Sequence, residues 1–250
     1  MEAPVTDKTI ETFESIEELS RCAAELFITE TELAVARHGR FSVALSGGST
    51  PGQLYCLLST EKYRMRIDWE RVHIFWTDER CVPPNHPDSN FKLASDLLLS
   101  KLSLPNSNIH RIPGELSEEK AALAYEKDLL CFFSASVIPR FDLIFLGVGQ
   151  DGHTASIFPG AKAADTSARL AIPVPANKSG WHRVTLSYAV LNCAATVAFL
   201  VAGKAKASVV RDILEGKNQI LPASRVHPER GRTLWFLDRD AASLLKNRNI

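Results

Sequence analysis

The feature that most constrains the fold of this 250-residue chain is an apolar segment, residues 141–146, that runs directly into closely spaced glycines. Its β-forming residues are interrupted only by Asp142 near the start, as expected for a strand buried on both faces of a parallel sheet. The glycines that follow allow backbone conformations that other residues avoid: Gly147, Gly149 and Gly152. The sequence therefore predicts a central strand whose carboxyl end presents Asp151 and His153, where open α/β sheets bind ligands.

The same glycines match the G-x-G-x-x-G spacing of a dinucleotide-binding loop. That loop requires a helix that starts at the third glycine and an acidic residue about 20 positions later to bind a ribose. Pro159 and Gly160 would end such a helix early, and the next strand candidate, residues 170–174, ends without an acid. We therefore predict no nicotinamide or flavin cofactor, and interpret the glycines as a loop that holds Asp151 and His153.

Apolar periodicity divides the rest of the chain into alternating strands and helices. Strands are predicted at residues 41–45, 72–77, 141–146, 170–174, 183–186, 196–201, 226 and 234–237. Helix starts are predicted at Ser15, Pro51, Ser89, Ser117, Lys204 and Asp238. This alternation predicts an α/β fold with a doubly wound, mainly parallel sheet and helices on both faces. We expect a single domain over residues 1–250.

Charge and cysteine content narrow the classes of function. Lys plus Arg and Asp plus Glu each number 29, and no basic stripe is interleaved with aromatic residues, so we expect no nucleic-acid partner. No apolar run is long enough for a membrane span and no targeting segment is visible, so we expect a cytoplasmic protein without a membrane partner. The five cysteines are scattered and the histidines lack zinc-site spacings, which predicts reduced thiols and no metal.

A second glycine loop, residues 46–50, lies between a predicted strand and a predicted helix. It supplies two glycines and two hydroxyl groups, from Gly47, Gly48, Ser49 and Thr50. Unpaired backbone N–H groups at a helix start, together with such hydroxyls, form an anion site. The Walker spacing is absent, so a nucleoside triphosphate is not indicated. A tight turn that needs glycine for geometry alone is the alternative for this segment.

Charged residues follow other predicted strand ends. Asp78, Glu79 and Arg80 come directly after the strand at residues 72–77, and they either form an ion-pair network or face a ligand cavity. Lys204 lies at a predicted helix start, where the helix dipole disfavours a cation. Lys204 therefore either lies near an anion or is solvated. The sequence alone does not decide between these two environments of Lys204, or between the two roles of residues 78–80.

The assembled motifs resemble the 6-phosphogluconolactonase family over most of the chain, from about residue 13 to residue 245. The matching segments are L-S-G-G-S-T-P at 45–51, T-D-E-R at 77–80, L-G-V-G-Q-D-G-H-T-A-S-I-F-P at 146–159, R-V-T-L at 183–186 and G-K at 203–204. The resemblance implies a modified Rossmann-like fold of the hexosamine-6-phosphate isomerase type. Related hexosamine-6-phosphate deaminases typically have Tyr in place of Arg80 and an Asn-Glu pair after Gly-His, and both differences favour the lactonase.

The resemblance implies hydrolysis of 6-phospho-D-glucono-1,5-lactone to 6-phosphogluconate in the oxidative pentose phosphate pathway, without a metal or cofactor. An electrophilic lactone carbonyl needs a base for water, donors for the oxyanion and a site for the phosphate. Because imidazole titrates near neutrality, we predict that His153 is the general base and that Asp151 orients it or raises its basicity. The predicted phosphate-binding residues are Gly47, Gly48, Ser49, Thr50, Arg80, Arg183 and Lys204.

The predicted partner is a phosphosugar lactone, and we expect a monomer, with a dimer as the alternative. A non-catalytic sugar-phosphate sensor is the rival class of function. Such a protein needs a helix-turn-helix or a basic patch, and the sequence shows neither. We expect Asp78 either to shape the sugar pocket or to pair with Arg80. The sequence leaves open which group stabilises the oxyanion and whether His182 contacts the substrate.

Overall fold

A seven-stranded parallel sheet forms the centre of the computed structural model, which describes residues 7–134, 138–161, 169–176 and 180–246. The strands are β1 (Asp7–Phe13), β2 (Phe41–Leu45), β3 (Val72–Trp76), β4 (Asp78–Arg80), β5 (Ile109–His110), β6 (Leu143–Leu146), β7 (Ala171–Val174), β8 (Arg183–Leu186), β9 (Thr196–Val201) and β10 (Arg232–Asp238). The main sheet has the order β1-β10-β9-β6-β2-β3-β5, and all its pairings are parallel.

The direction of winding reverses between β2 and β6. From β2 the chain adds β3 and β5 on one side, and then returns through β6, β9 and β10 on the other. Such a reversal leaves a crevice at the carboxyl ends of the two central strands, where doubly wound sheets bind ligands. The two glycine loops of the sequence follow these two strands, so the predicted parallel α/β sheet is confirmed together with the place of its loops.

Helices connect and cover the strands. They are α1 (Ile16–His38), α2 (Ser49–Leu58), α3 (Glu61–Arg64), α4 (Asn90–Leu97), α5 (Glu118–Phe133), α6 (Tyr188–Leu191) and α7 (Ala207–Leu214). The Ser15 hydroxyl accepts the Glu18 N–H at the start of α1, and left-handed Gly39 ends the helix. Ser89 caps α4 in the same way, whereas Ser117 precedes α5 without a side-chain cap. None of the helices in the described ranges is long and apolar enough to cross a membrane.

Asp142, the one acid in the apolar segment at residues 141–146, has a structural role. Its Oδ2 accepts the backbone N–H of Ser42 at 2.8 Å and the Ser42 hydroxyl at 2.7 Å, which fastens β6 to β2. Its Oδ1 lies 2.9 Å from Nε2 of His38, at the end of α1. A buried carboxylate needs such partners, because its desolvation is otherwise unfavourable.

A second sheet with the order β4-β8-β7 is antiparallel, and the sequence did not predict it. Residues 170–174 and 183–186 were predicted as strands, but β8 pairs with β4 and β7 pairs with β8, so neither joins the main sheet. The difference arises because β4 contains the charged triplet at residues 78–80, which sequence patterns assign to a loop. The small sheet brings this triplet beside β8 at the carboxyl edge of the main sheet.

Further differences concern β5, an edge strand of two residues that the sequence did not predict, and the segments described next. The strand β1 was missed because it is a polar edge strand, and Val226 follows a 3-10 turn instead of forming a strand. Turns replace the closing helix predicted after Asp238, whose carboxylate accepts N–H groups from Gly203 at 2.9 Å and from Ala241 at 2.7 Å. The expectation of a single domain stays a prediction.

Candidate active site

A cavity of about 210 Å³ opens at the carboxyl ends of β2 and β6. The loop after β2 contributes Ser46, Gly47 and Gly48, and the loop after β6 contributes Gly147, Val148, Gly149, His153 and Ala155. The small sheet adds Asp78, Arg80 and Arg183, while α4 adds Asn90 and the turn before α7 adds Lys206. The fold thus brings segments that are far apart in sequence to one crevice, as the switch in winding direction requires.

The loop after β6 joins Asp151 to His153. Nδ1 of the imidazole lies 2.6 Å from Oδ1 of Asp151, and the same oxygen accepts the backbone N–H of His153 at 3.1 Å. Because a carboxylate only accepts, the proton of the neutral ring lies on Nδ1 and Nε2 keeps its lone pair. His153 lines the cavity, whereas Asp151 is not among the lining residues and acts on the ring from its other nitrogen.

Glycine is required where this loop folds back on itself. A Cβ atom at Gly149 would lie 2.1 Å from Nδ1 of His153 and 2.6 Å from Oδ1 of Asp151. The backbone N–H of Gly149 donates to the carbonyl of His153 at 2.8 Å, and Gly152 has a positive φ of 84°. The structure therefore agrees with the interpretation of these glycines as a loop that holds the carboxylate against the imidazole.

The charge on Asp151 is stabilised by its neighbour. Partial burial alone would raise the pKa of this carboxyl group, but the backbone N–H, the positive charge and the ring N–H of His153 outweigh burial and hold the pKa below its ordinary value. Asp151 therefore stays ionised throughout the neutral range. An ionised partner on Nδ1 stabilises an imidazolium when Nε2 takes up a proton.

Three cations line the cavity: Arg80, Arg183 and Lys206. Nε of Arg80 is buried without a hydrogen-bond partner in the described part of the chain, while its guanidinium also donates to the carbonyl of Asp88 at 2.6 Å. Burial lowers the pKa of Arg183 more than the charge of Asp78 raises it, and burial also lowers the pKa of Lys206. Positive charge that is partly withdrawn from water is typical of an anion site.

The structure separates the predicted phosphate-binding residues into two groups. Gly47, Gly48, Arg80 and Arg183 line the cavity, whereas Ser49, Thr50 and Lys204 do not. Ser49 and Thr50 are the first residues of α2, whose N-terminal turn begins beside the cavity. Lys204 is exposed, because residues Lys204–Lys206 form a 3-10 turn that directs Lys206, and not Lys204, to the cavity. Lys206 was missed because an uninterrupted α-helix was assumed to begin at residue 204.

Two residues of the charged triplet of β4 line the cavity, and the third binds the start of α4. Asp78 lines the cavity and accepts the Ser156 hydroxyl at 2.6 Å, with Nη1 of Arg183 at 3.9 Å. Glu79 points away from the cavity to the start of α4. Asp78 was expected to pair with Arg80 or to shape the sugar pocket, and its nearest cation is Arg183. His182 is not among the residues that line the cavity, and its Nδ1 lies 3.0 Å from Oε1 of Glu118.

No cluster of His, Cys, Asp and Glu that could hold a metal ion occurs within residues 7–134, 138–161, 169–176 and 180–246. The cavity is lined by the His153 ring, whose Nδ1 faces Asp151, and by Arg80, Arg183 and Lys206. That combination suits a neutral, electrophilic centre joined to an anionic group.

Comparisons with known proteins find relatives over most of the chain. The family model described as "Glucosamine-6-phosphate isomerases/6-phosphogluconolactonase" matches residues 14–235. The chain is similar to a 6-phosphogluconolactonase of Synechocystis sp., with 41% identity over 87% of this chain and 90% of that protein. A second relative, a 6-phosphogluconolactonase of Nostoc sp., is 36% identical over 95% of this chain and 98% of that protein. The solved structure of 6-phosphogluconolactonase from Thermotoga maritima superimposes with a TM-score of 0.81 at 31% identity, covering 93% of this chain and 100% of that one.

Proposed function

Because the chain belongs to the family of glucosamine-6-phosphate isomerases and 6-phosphogluconolactonases, we propose that it hydrolyses 6-phospho-D-glucono-1,5-lactone to 6-phospho-D-gluconate, in the cytoplasmic oxidative pentose phosphate pathway. The observation that carries the proposal is the Asp151–His153 pair at 2.6 Å in a cavity lined by three cations. The pair suits attack of water on a carbonyl, and the cations suit a phosphate.

His153 acts as the general base. Nε2 takes a proton from water as the water oxygen attacks the lactone carbonyl carbon, and the resulting imidazolium is stabilised by Asp151 on Nδ1. When the tetrahedral intermediate collapses, the bond from this carbon to the ring oxygen breaks and the imidazolium returns its proton to the departing oxygen. One water is consumed, and the new carboxylic acid ionises in solution. The lactone carbonyl is reactive enough that no covalent nucleophile is required.

The phosphate is bound by the cations and the glycine loop that line the cavity. Arg80, Arg183 and Lys206 supply charge, and the backbone at Gly47 and Gly48 leads into the N-terminus of α2, which favours an anion. Ser49 and Thr50 do not line the cavity, and they contribute to this site only as residues of the first turn of α2. Binding energy at the phosphate, remote from the reacting carbon, positions the lactone for attack.

A coupled assay tests the proposed reaction. Glucose-6-phosphate dehydrogenase generates the lactone in situ, and the rate of 6-phosphogluconate formation is compared with and without the protein, because the lactone also hydrolyses spontaneously. We expect formation to accelerate in proportion to the protein concentration. A parallel reaction offers glucosamine-6-phosphate and measures ammonia release. A rate equal to the spontaneous one, or ammonia release in place of lactone hydrolysis, would contradict the proposal.

A further inference from the structure

Asn90, the first residue of α4, forms part of the cavity wall and was not singled out by the sequence. It is only 3% exposed, and it lies between β4 and the glycine loop after β2. A buried amide has both a donor and an acceptor to satisfy, so the partners of each end determine what the side chain can still bind.

The donor end of this amide is used within the protein. Nδ2 donates to the backbone carbonyl of Asp78 at 2.9 Å and lies 3.3 Å from its Oδ1. Both partners are acceptors only, which fixes the orientation of the amide, since exchanging its oxygen and nitrogen would set oxygen against oxygen.

The acceptor end is directed to the cavity wall at Gly47. Oδ1 of Asn90 occupies the space that a side chain at position 47 would need, because a Cβ atom there would lie 1.8 Å from this oxygen. No donor in the described part of the chain makes a hydrogen bond to Oδ1, in contrast to Nδ2. The wall therefore presents a neutral acceptor beside the loop that begins the phosphate site.

Glu79 holds Asn90 in this position. The carboxylate is 2% exposed and accepts N–H groups of Asn90 and Phe91 at 2.8 Å each, as well as the Ser89 hydroxyl at 3.0 Å. Ser89 in turn caps α4 through the N–H of Lys92. An acceptor fixed from both its backbone and its amide loses little entropy when a ligand binds.

We propose that Oδ1 of Asn90 accepts a hydrogen bond from a hydroxyl group of the bound phosphosugar and so selects polyhydroxylated phosphate esters. The identity of the ligand rests on the proposed function. The three cations of the cavity can only donate, so they recognise the phosphate but not hydroxyl protons. When a ligand without a hydroxyl group binds, Oδ1 of Asn90 is removed from water and receives no hydrogen bond in return. This cost disfavours ligands that lack the sugar chain.

The test compares two competitive inhibitors of the hydrolysis, 6-phosphogluconate and inorganic phosphate. For Asn90→Ala we expect the inhibition constant of 6-phosphogluconate to rise about tenfold, the effect of one lost hydrogen bond, while that of phosphate stays within about twofold. Asn106→Ala, at an exposed position outside the cavity, is the matched control and should change neither constant. If Asn90→Ala does not fold, Asn90→Ser replaces it, because serine is accepted at helix starts and its shorter hydroxyl does not reach the same place.

The outcomes separate this inference from the proposed function. Equal weakening of both inhibitors would show that Asn90 only supports the loop, and unchanged constants would show that it does not contact the ligand; either result overturns the inference. In both cases the wild-type protein still hydrolyses the lactone. A wild-type protein without lactonase activity would instead contradict the proposed function, and the inference would fall with it.

Discussion

Arg80 and Arg183 lie directly opposite each other on the antiparallel strands β4 and β8. Like charges in facing positions repel, and the charge of Arg80 contributes to lowering the pKa of Arg183. Among the described residues that line the cavity, Asp78 is the one acid and Arg80, Arg183 and Lys206 are the cations, so the lining carries a net positive charge. A bound dianion would remove this repulsion, which makes the pair a phosphate site in our proposal.

Removal of either guanidinium is expected to weaken substrate binding. For Arg80→Ala and Arg183→Ala we expect KM to rise about 10- to 100-fold, the usual effect of losing a hydrogen bond to a charged group. The substitutions leave the Asp151–His153 pair in place, so kcat should fall much less. Steady-state kinetics with the coupled assay measures both constants, and Arg239→Ala, at an exposed site, is the control. An unchanged KM in both cavity variants would exclude the arginines from phosphate binding.

Lys206 and Lys204 form a matched pair two residues apart, of which only Lys206 lines the cavity. We expect Lys206→Ala to raise KM about tenfold or more and Lys204→Ala to leave it nearly unchanged. Burial lowers the pKa of Lys206, although the charge of Asp151 opposes this, so its amine loses its proton at a lower pH than an ordinary lysine. KM should therefore rise on the alkaline side, and Lys206→Arg should reduce that rise. A larger effect of Lys204→Ala than of Lys206→Ala would instead support Lys204 as the phosphate-binding residue, as the sequence predicted.

Asp151 is expected to affect kcat more than KM. In Asp151→Asn the side-chain amide can donate to Nδ1, which favours the tautomer with the proton on Nε2, the wrong nitrogen for a base. We expect kcat to fall about 10²- to 10⁴-fold and KM to change by less than about threefold. Asp240→Asn at an exposed turn is the control. Should kcat stay near the wild-type value, Asp151 would not be required to orient the imidazole.

His73 makes a testable contribution to the pH dependence of stability. Burial, the neighbouring His110 and Arg40 lower the pKa of His73 to about 4, from an ordinary value of 6.5. Its Nδ1 lies 3.3 Å from Nε2 of His110, whose other nitrogen lies 3.0 Å from Asp128. Because the unfolded chain binds a proton that the folded chain refuses, this group makes stability fall as the pH drops from about 6.5 towards 4.

The variant His73→Phe should lose less stability than the wild type over that pH range. Phenylalanine does not titrate, and its ring can pack on Phe132, whose centroid lies 4.6 Å from the His73 ring. Urea unfolding midpoints at pH 7.5 and pH 5 measure the difference, with the exposed His227→Ala as the control. Equal decreases in the midpoint for wild type and His73→Phe would contradict the role of His73.

The parts of the fold that the sequence predicted are those with local causes. The buried strand β6 follows from an apolar run that only Asp142 interrupts, and the limits of α1 follow from its capping residues Ser15 and Gly39. The strand β1 was missed because it lies at the edge of the sheet and its sequence is mostly polar, so no apolar run marks it. The small sheet was missed because its pairing joins β4 to a segment more than a hundred residues away in sequence, for which no local pattern exists.

In the candidate site, too, the sequence predicted the features with local causes and missed those that depend on tertiary contacts. Asp151 and His153 are neighbours in sequence, so one glycine loop was enough to predict their contact. The choice between Lys204 and Lys206 depends on whether a 3-10 turn or an α-turn follows β9, which propensities do not decide. Asn90 reaches the cavity only through tertiary contacts with Asp78 and Gly47, so the only sequence signal was its place after the helix cap Ser89.

The turnover rate of His153→Ala at saturating lactone is the most direct test of the assignment of His153 as the base. Its matched control is His227→Ala, an exposed histidine outside the cavity, and spontaneous hydrolysis is subtracted from every rate. We expect kcat to fall about 10²- to 10⁴-fold for His153→Ala and to stay at the wild-type value for His227→Ala. A kcat for His153→Ala near that of the wild type would contradict the assignment of His153 as the base.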